Sequence, residues 1–248
     1  DFDVLQNVDS ISNYVGTPAV NPTTFTSGVM LTGRRQDDLA APQDNRTLCL
    51  NPNGYWGIAS GLVGSFVMPT AKEALVKGYL ATIGNYEIYM DQNIPNGPIN
   101  VQGHNSSVAM VVNTNAVNAV GSGNQVSTYG CASTDTIAIG EVFTIAGVNN
   151  INPQSRQNTG VLKNFVVTGT TQLTNSTWVL TFSPPVVTSG PYQNVNAAIA
   201  PSSAIVWLSG TSSVQITSPN NVAFCRDAFG LVMVPMEIPQ GVDFSARE

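Results

Sequence analysis

Apolar positions along this chain follow two different rhythms, and the switch between them divides the sequence. Tyr55, Ile58, Ala59, Leu62, Val63 and Phe66 recur at helical spacing, one continuous stripe that Pro69 ends. Gly57, Gly61 and Gly64 lie off the stripe, where a close-packed neighbour can approach. Asn51-Pro-Asn-Gly54 turns the chain into this helix from a short buried strand, Arg46 to Leu50. An earlier helix is predicted from Phe25 to Leu39, with Pro22 and Thr23-Thr24 as its start and Pro42 beyond its end. Gly28 and Gly33 weaken that helix. Before it, residues 1–19 hold scattered apolar positions and read as an irregular lead-in.

Alternation replaces the helical period from about Lys77. Tyr79, Ala81 and Ile83 alternate on one strand and Tyr86, Ile88 and Met90 on the next. Gly84-Asn85 between them is a two-residue loop that suits strand twist, so the stretch is a β-hairpin. Residues 95–103, Pro-Asn-Gly-Pro-Ile-Asn-Val-Gln-Gly, read as a linker and a domain boundary. Beyond it, Phe143/Ile145 alternate against Val142/Thr144, and Trp178/Leu180/Phe182 against Thr177/Val179/Thr181. Phe165 to Thr168 pairs with the latter strand across Thr174-Asn-Ser176. Such short strands describe a small antiparallel barrel or sandwich without helices. Two long polar connections, residues 113–129 and 149–159, project from it as functional or mobile loops. Deleting 113–129 should then leave the subunit folded.

Residues 203–208 and 214–217 bring the chain back to the segment 220–239, the most apolar long stretch in it, with only Arg226, Asp227 and Glu237 charged. Proline interrupts that stretch too soon for a membrane span, so it reads as the buried core around which the rest is organised. Two apolar regions flanking a self-contained β-domain are the mark of an insertion, which requires the host's joining ends to lie close together. Phe224 and Phe229 are where the host's halves should meet. The expected units are 1–102 as the host core, 103–210 as the inserted β-domain and 211–248 as the return.

Composition narrows the function. A chain of 248 residues can hold one large or two modest domains. Charged residues make up 10% of it, against about 25% in an ordinary soluble domain. Asn, Thr, Ser, Gln and Gly take their place. Net charge is −6 with 9 basic residues, which gives no electrostatic footprint for tight nucleic-acid binding. Cys49, Cys131 and Cys225 are odd in number and show no metal or redox spacing, so they read as free thiols. Sequons at Asn45, Asn105 and Asn175 are matches that arise by chance in so Asn- and Thr-rich a chain. No signal or transmembrane segment is evident, and the chain reads as part of something longer.

Catalytic patterns are missing. His104 is the sole histidine and no nucleophile elbow accompanies it. Close acidic pairs are limited to Asp1/Asp3 and Asp37/Asp38, and Glu73, Glu87, Glu141 and Glu237 stand apart, so no metal site or glycosidase pair is forecast. Gly121-Ser-Gly123 lacks the helix and lysine of a phosphate loop. Neither enzyme activity nor a cofactor is expected. Arg34, Arg35, Asp37 and Asp38 concentrate the local charge. A solvated face is the plainer reading and the favoured one; a salt-bridging assembly interface with another chain is the sharper one.

Four segments together resemble the major capsid (coat) protein of tailed bacteriophages, of the podophage type with an inserted β-domain. They are Arg46-Thr-Leu-Cys-Leu-Asn-Pro52 with the helix after it, 84–95, 140–148 with Asn152-Pro-Gln154, and Asn221-Val-Ala-Phe-Cys-Arg-Asp-Ala-Phe229. Cys225 stands where that family commonly has histidine. The resemblance implies an α+β capsid fold of the tailed-phage and herpesvirus type, with portions of axial and peripheral domains interrupted by an antiparallel β-barrel. It implies a structural subunit of an icosahedral head, arranged in hexamers and pentamers and guided by a scaffolding protein. Packaged DNA would be enclosed without sequence-specific binding, assembly would occur in the host cytoplasm, and no membrane would be involved. The alternative is a carbohydrate- or receptor-binding β-module of a virion tail or adhesin. Trp178, Tyr192 and Trp207 would then stack on sugars, although the neighbours of both tryptophans favour a place in the core.

Overall fold

A computed structural model describes residues 12–17, 20–63, 82–94, 96–99, 110–113, 123–131, 137, 139–208 and 216–229. Thr24 starts the first helical segment. Its hydroxyl accepts from Ser27 N at 3.1 Å while the Ser27 hydroxyl accepts from Thr24 N at 3.2 Å, a reciprocal cap. A π-helical turn, Thr26–Met30, runs straight into helix α1, Leu31–Asp38. Strand β1, Arg46–Leu50, alternates buried and half-buried residues as expected. Asn51 then caps helix α2, Pro52–Val63, accepting from Gly54 N at 2.9 Å, with proline at the position whose missing N–H costs nothing.

The hairpin forms where the alternation placed it, with β2 at Thr82–Ile83 and β3 at Tyr86–Met90. Gly84 and Asn85 both take positive φ, 59° and 66°, the two-residue turn that matches strand twist. Residues 77–81 and the end of the helical stripe, Phe66, lie outside the described residues. β3 lies parallel to β1, pairing Leu48 with Ile88, and β1 is flanked on its other side by antiparallel β12, Val222–Cys225. The four-stranded sheet therefore runs β12-β1-β3-β2. Val29, Leu48, Leu50, Tyr55, Ile58, Tyr86 and Ile88 pack between this sheet and the helices as one core. Among the described residues, the late apolar stretch contributes the edge strand β12 of that sheet, with β1 and β3 inside it; Val222 is buried while Ala223, Phe224 and Cys225 are half-buried. Residues 230–239 lie outside the described residues.

Residues 96–99, read as linker, form strand β4, Asn96–Ile99, which pairs antiparallel with β11, Ile216–Pro219. Asn-Gly-Pro-Ile carries no alternation, and its partner lies far along the chain, so no local signal marked it. The departing and returning chains thus run side by side, as an insertion demands.

Between them is a six-stranded antiparallel sheet, β10-β7-β8-β9-β6-β5. Its members are β5 (Val111–Val112), β6 (Gln125–Tyr129), β7 (Val142–Ile151), β8 (Asn158–Thr174), β9 (Thr177–Ser183) and β10 (Ile205–Trp207). The two edges meet: Val111 bridges Ala204, Val112 N donates to Ser203 O at 2.9 Å, and Ile205 N donates to Met110 O at 2.9 Å. Closure removes the exposed edges that invite aggregation. Phe143, Phe165, Phe182 and Trp207 fill the interior, with ring centroids 4.9 to 5.8 Å apart. Among the described residues this unit contains no helix.

Part of each expected polar loop is strand, and residues 114–122 lie outside the described residues. Gln125 to Tyr129 is β6, held between β5 and β9, and the 149–159 stretch is the tip of the β7–β8 hairpin. Their Asn, Thr, Gly and Ser residues hide the pattern because β6 buries Val126, Ser127 and Thr128 consecutively rather than alternately. Deleting 113–129 would therefore remove a wall of the barrel, and folding would not survive it.

Candidate interface site

Helix α1 carries the four charged residues singled out from the sequence, and the structure gives each a different environment. Asp37 accepts from Arg46 Nη2 at 2.7 Å. Arg46 also donates from Nε to Pro42 O at 2.8 Å and from Nη2 to Ala41 O at 3.0 Å, and its guanidinium lies 5.8 Å from the centre of the Tyr86 ring. Burial is the largest single influence on the Arg46 pKa and draws it down, but the hydrogen bond to Asp37 and the charges of Tyr86, Asp37 and Cys225 together outweigh it and the net shift is upward. Tyr86 donates its hydroxyl to Gln36 Oε1 at 2.6 Å, and Gln36 Nε2 donates to Ala223 O at 3.2 Å. Desolvation raises the Tyr86 phenol to about 12, with Arg46 opposing. This chain of polar contacts ties α1 to β1, β3 and β12.

Arg34 and Asp38 form a loose pair at 3.8 Å near solvent. Arg35 is the exception to the solvated face: it is 7% exposed, and its Nε and Nη2 have no hydrogen-bond partner. Desolvation lowers its pKa, partly offset by Asp38. Lys163 on β8 is 8% exposed, and its pKa falls through burial and through the nearby positive charge of Arg35. So α1 and the barrel meet at two buried cations. Asn152 Nδ2 donates to Asp37 O at 3.3 Å and Asn164 Nδ2 to Tyr14 O at 3.2 Å across the same junction. A cleft of about 1010 Å³ runs along it, between α1, β1, β12 and the start of β7.

Sequence reasoning passed over Arg46 and Lys163. Each is a charged residue inside an otherwise apolar strand pattern, and that misfit was the available signal. The other candidates are dispersed. Trp178 and Trp207 are core residues, 9% and 4% exposed, while Tyr192 stands 86% exposed. Glu141 is buried and Glu87 accepts from the Tyr89 hydroxyl at 3.0 Å. His104, Glu73 and Glu237 lie outside the described residues. Cys49, Cys131 and Cys225 are free thiols. Among the described residues, no group of three or more His, Cys, Asp or Glu could hold a metal ion, and no helix is long and apolar enough to cross a membrane.

The family model described as "P22 coat protein - gene protein 5" matches residues 74–246, more than half of the chain. Among solved structures, the "CUS-3 coat protein I-domain" is similar at 26% identity and a TM-score of 0.30, over 42% of this chain and 98% of that one. No curated protein matches.

Proposed function

The chain belongs to the P22 coat protein family, and we propose that it self-assembles into the hexamers and pentamers of an icosahedral phage head enclosing the genome. Membership makes it a structural protein of the virion capsid. The match over residues 74–246 is the observation that carries the reading. It spans the described hairpin, the whole barrel and the returning strand. The low charge of 10% also supports it, because subunit interfaces exclude charged residues from their centres. A net charge of −6 suits a wall that contains nucleic acid without gripping it.

On this reading residues 1–102 and 211–248 form the host core, and 103–210 are the inserted barrel that stabilises the subunit and touches its neighbours. A scaffolding protein guides assembly in the host cytoplasm, and the role is not enzymatic. Arg34, Arg35, Asp37 and Asp38 lie at an interface between subunits. Negative-stain microscopy of the complete protein with its scaffolding partner should show large closed particles. Discrete monomers at high concentration would overturn the reading.

A further inference from the structure

We propose that the projecting tip of the β8–β9 hairpin is an assembly contact, covered in the shell by an uncharged surface of a second copy of this chain. The inference deepens the shell reading and rests on it. β8 outruns its neighbour β7: their pairing reaches Val142 opposite Val166, and Gly140 N donates to Val167 O at 2.8 Å. Beyond that point β8 continues to Thr174 paired with β9 alone. Among the described residues, the other edge of 168–174 meets no strand, so its outward N–H and C=O groups are open to one. β9 in turn lies beside β6, and the register sets Tyr129, Thr177 and Thr174 in one row across the tip. Leu173 adjoins that row and is 59% exposed, and Tyr129 is 53% exposed.

Packing within the subunit does not account for that exposure. The barrel core gathers around Phe165 and Phe182, while residues 171–175 all lie at the surface. Open strand edges are ordinarily guarded by charge or proline. Here no Asp, Glu, Lys, Arg or His occurs from Asn164 to Cys225, and no proline from Asn164 to Ser183. Register shifts between Val167 and Gly169 and between Gln172 and Thr174 bend the strand without closing its edge. Interface centres are depleted in charge, and an uncharged tip with two exposed apolar side chains has that character. A second copy is the partner it fits. Each copy carries a net charge of −6, so copies repel where charged surfaces face and approach best through a neutral one. Nucleic acid is a poor partner, since the tip offers no cation to a phosphate.

The test compares the dilute subunit with the assembled shell. Thr171→Lys places a charge on the open edge, Leu173→Asp places one at the tip, and Leu173→Met is the conservative control. Urea unfolding of the dilute subunit should be unchanged in all three, because these side chains are exposed. Shells of the two charged variants should need at least about tenfold more protein to form, the loss expected when one leucine-sized contact goes unburied. Leu173→Met shells should form as wild type does. Charged variants that assemble as readily as wild type overturn the proposal. So does a subunit that loses as much stability as the shell, or fails to fold, since its own chain then covers the tip. If the charged variants lose binding to the scaffolding partner while shells grown without it form normally, the tip serves that partner and the proposal fails. Wild-type protein that makes no shells at all removes the shell reading itself, whatever the variants do.

Discussion

Arg46 and Asp37 meet at 2.7 Å with the arginine side chain 3% exposed and the aspartate 52% exposed. The pair is lopsided: the cation is locked inside and depends on an anion that water also reaches. Breaking a wholly buried pair costs about 3–5 kcal/mol, but screening at the half-exposed carboxylate reduces this to about 1–2 kcal/mol for Asp37→Asn. Arg46→Met is expected to cost less than the pairwise contacts imply, because it removes the buried charge together with its partner's role. Urea unfolding of both variants checks the order.

Tyr86 makes stability fall at alkaline pH. Its folded pKa is raised to about 12, whereas an unfolded tyrosine titrates near ~10. Above the unfolded value the unfolded chain releases a proton that the folded chain keeps, so stability declines as pH rises through that window. Tyr86→Phe should flatten this decline while losing about 1 kcal/mol at neutral pH with the Gln36 hydrogen bond. Equilibrium unfolding from neutral to strongly alkaline pH reads both effects.

Lys163 works in the opposite sense. Its folded pKa lies below the ordinary 10.5, so between the two values the unfolded chain holds the extra proton. Stability contributed here rises with pH across that interval. The difference curve of wild type minus Lys163→Gln, measured on the dilute subunit, should slope upward toward the ordinary lysine value.

Gly28 is required by the approach of the two helical segments. A Cβ there would lie 2.6 Å from Ile58 Cδ1 and 3.2 Å from Pro22 Cβ. Gly28→Ala gains about 1 kcal/mol of helix propensity yet should be destabilising, since overpacking costs about 1–3 kcal/mol. Ile58→Val deletes the clashing methyl, so the double variant should be more stable than the sum of the singles. A double-mutant cycle by thermal unfolding measures that coupling.

The barrel's aromatic centre predicts a large effect. Phe165 is fully buried, 4.9 Å from Phe182 and 5.7 Å from Phe143 by ring centroids. Phe165→Ala should cost about 3–5 kcal/mol. Removing residues 125–129 should abolish the near-ultraviolet signal of the barrel altogether, because β6 is hydrogen-bonded on both sides.

Much of this was legible beforehand, and the reasons are specific. Asn51-Pro52 and Thr24 announce helices through side-chain capping of the first turn, and Gly84-Asn85 announces a turn through permitted positive φ. Tyr86/Ile88 and Phe143/Ile145 alternate because each strand has one dry face. β6 escaped because three consecutive residues are buried, and β4 because Pro98 and Gly97 carry no pattern. Of the charged cluster on α1 only its location could be read; that Arg35 turns inward toward Lys163 could not.

The sequence by itself determined the α+β class, the inserted β-unit and the family, since these rest on periodicities and motifs written within a few turns of chain. Tertiary structure alone decided which strand is central, that β4 and β11 lie together, that Asn221 Oδ1 accepts from Asn51 N across 170 residues, and which charges lose their water. The physical reason is that dihedral preference and amphipathic period are local properties. Pairing and desolvation depend on whatever the topology brings alongside.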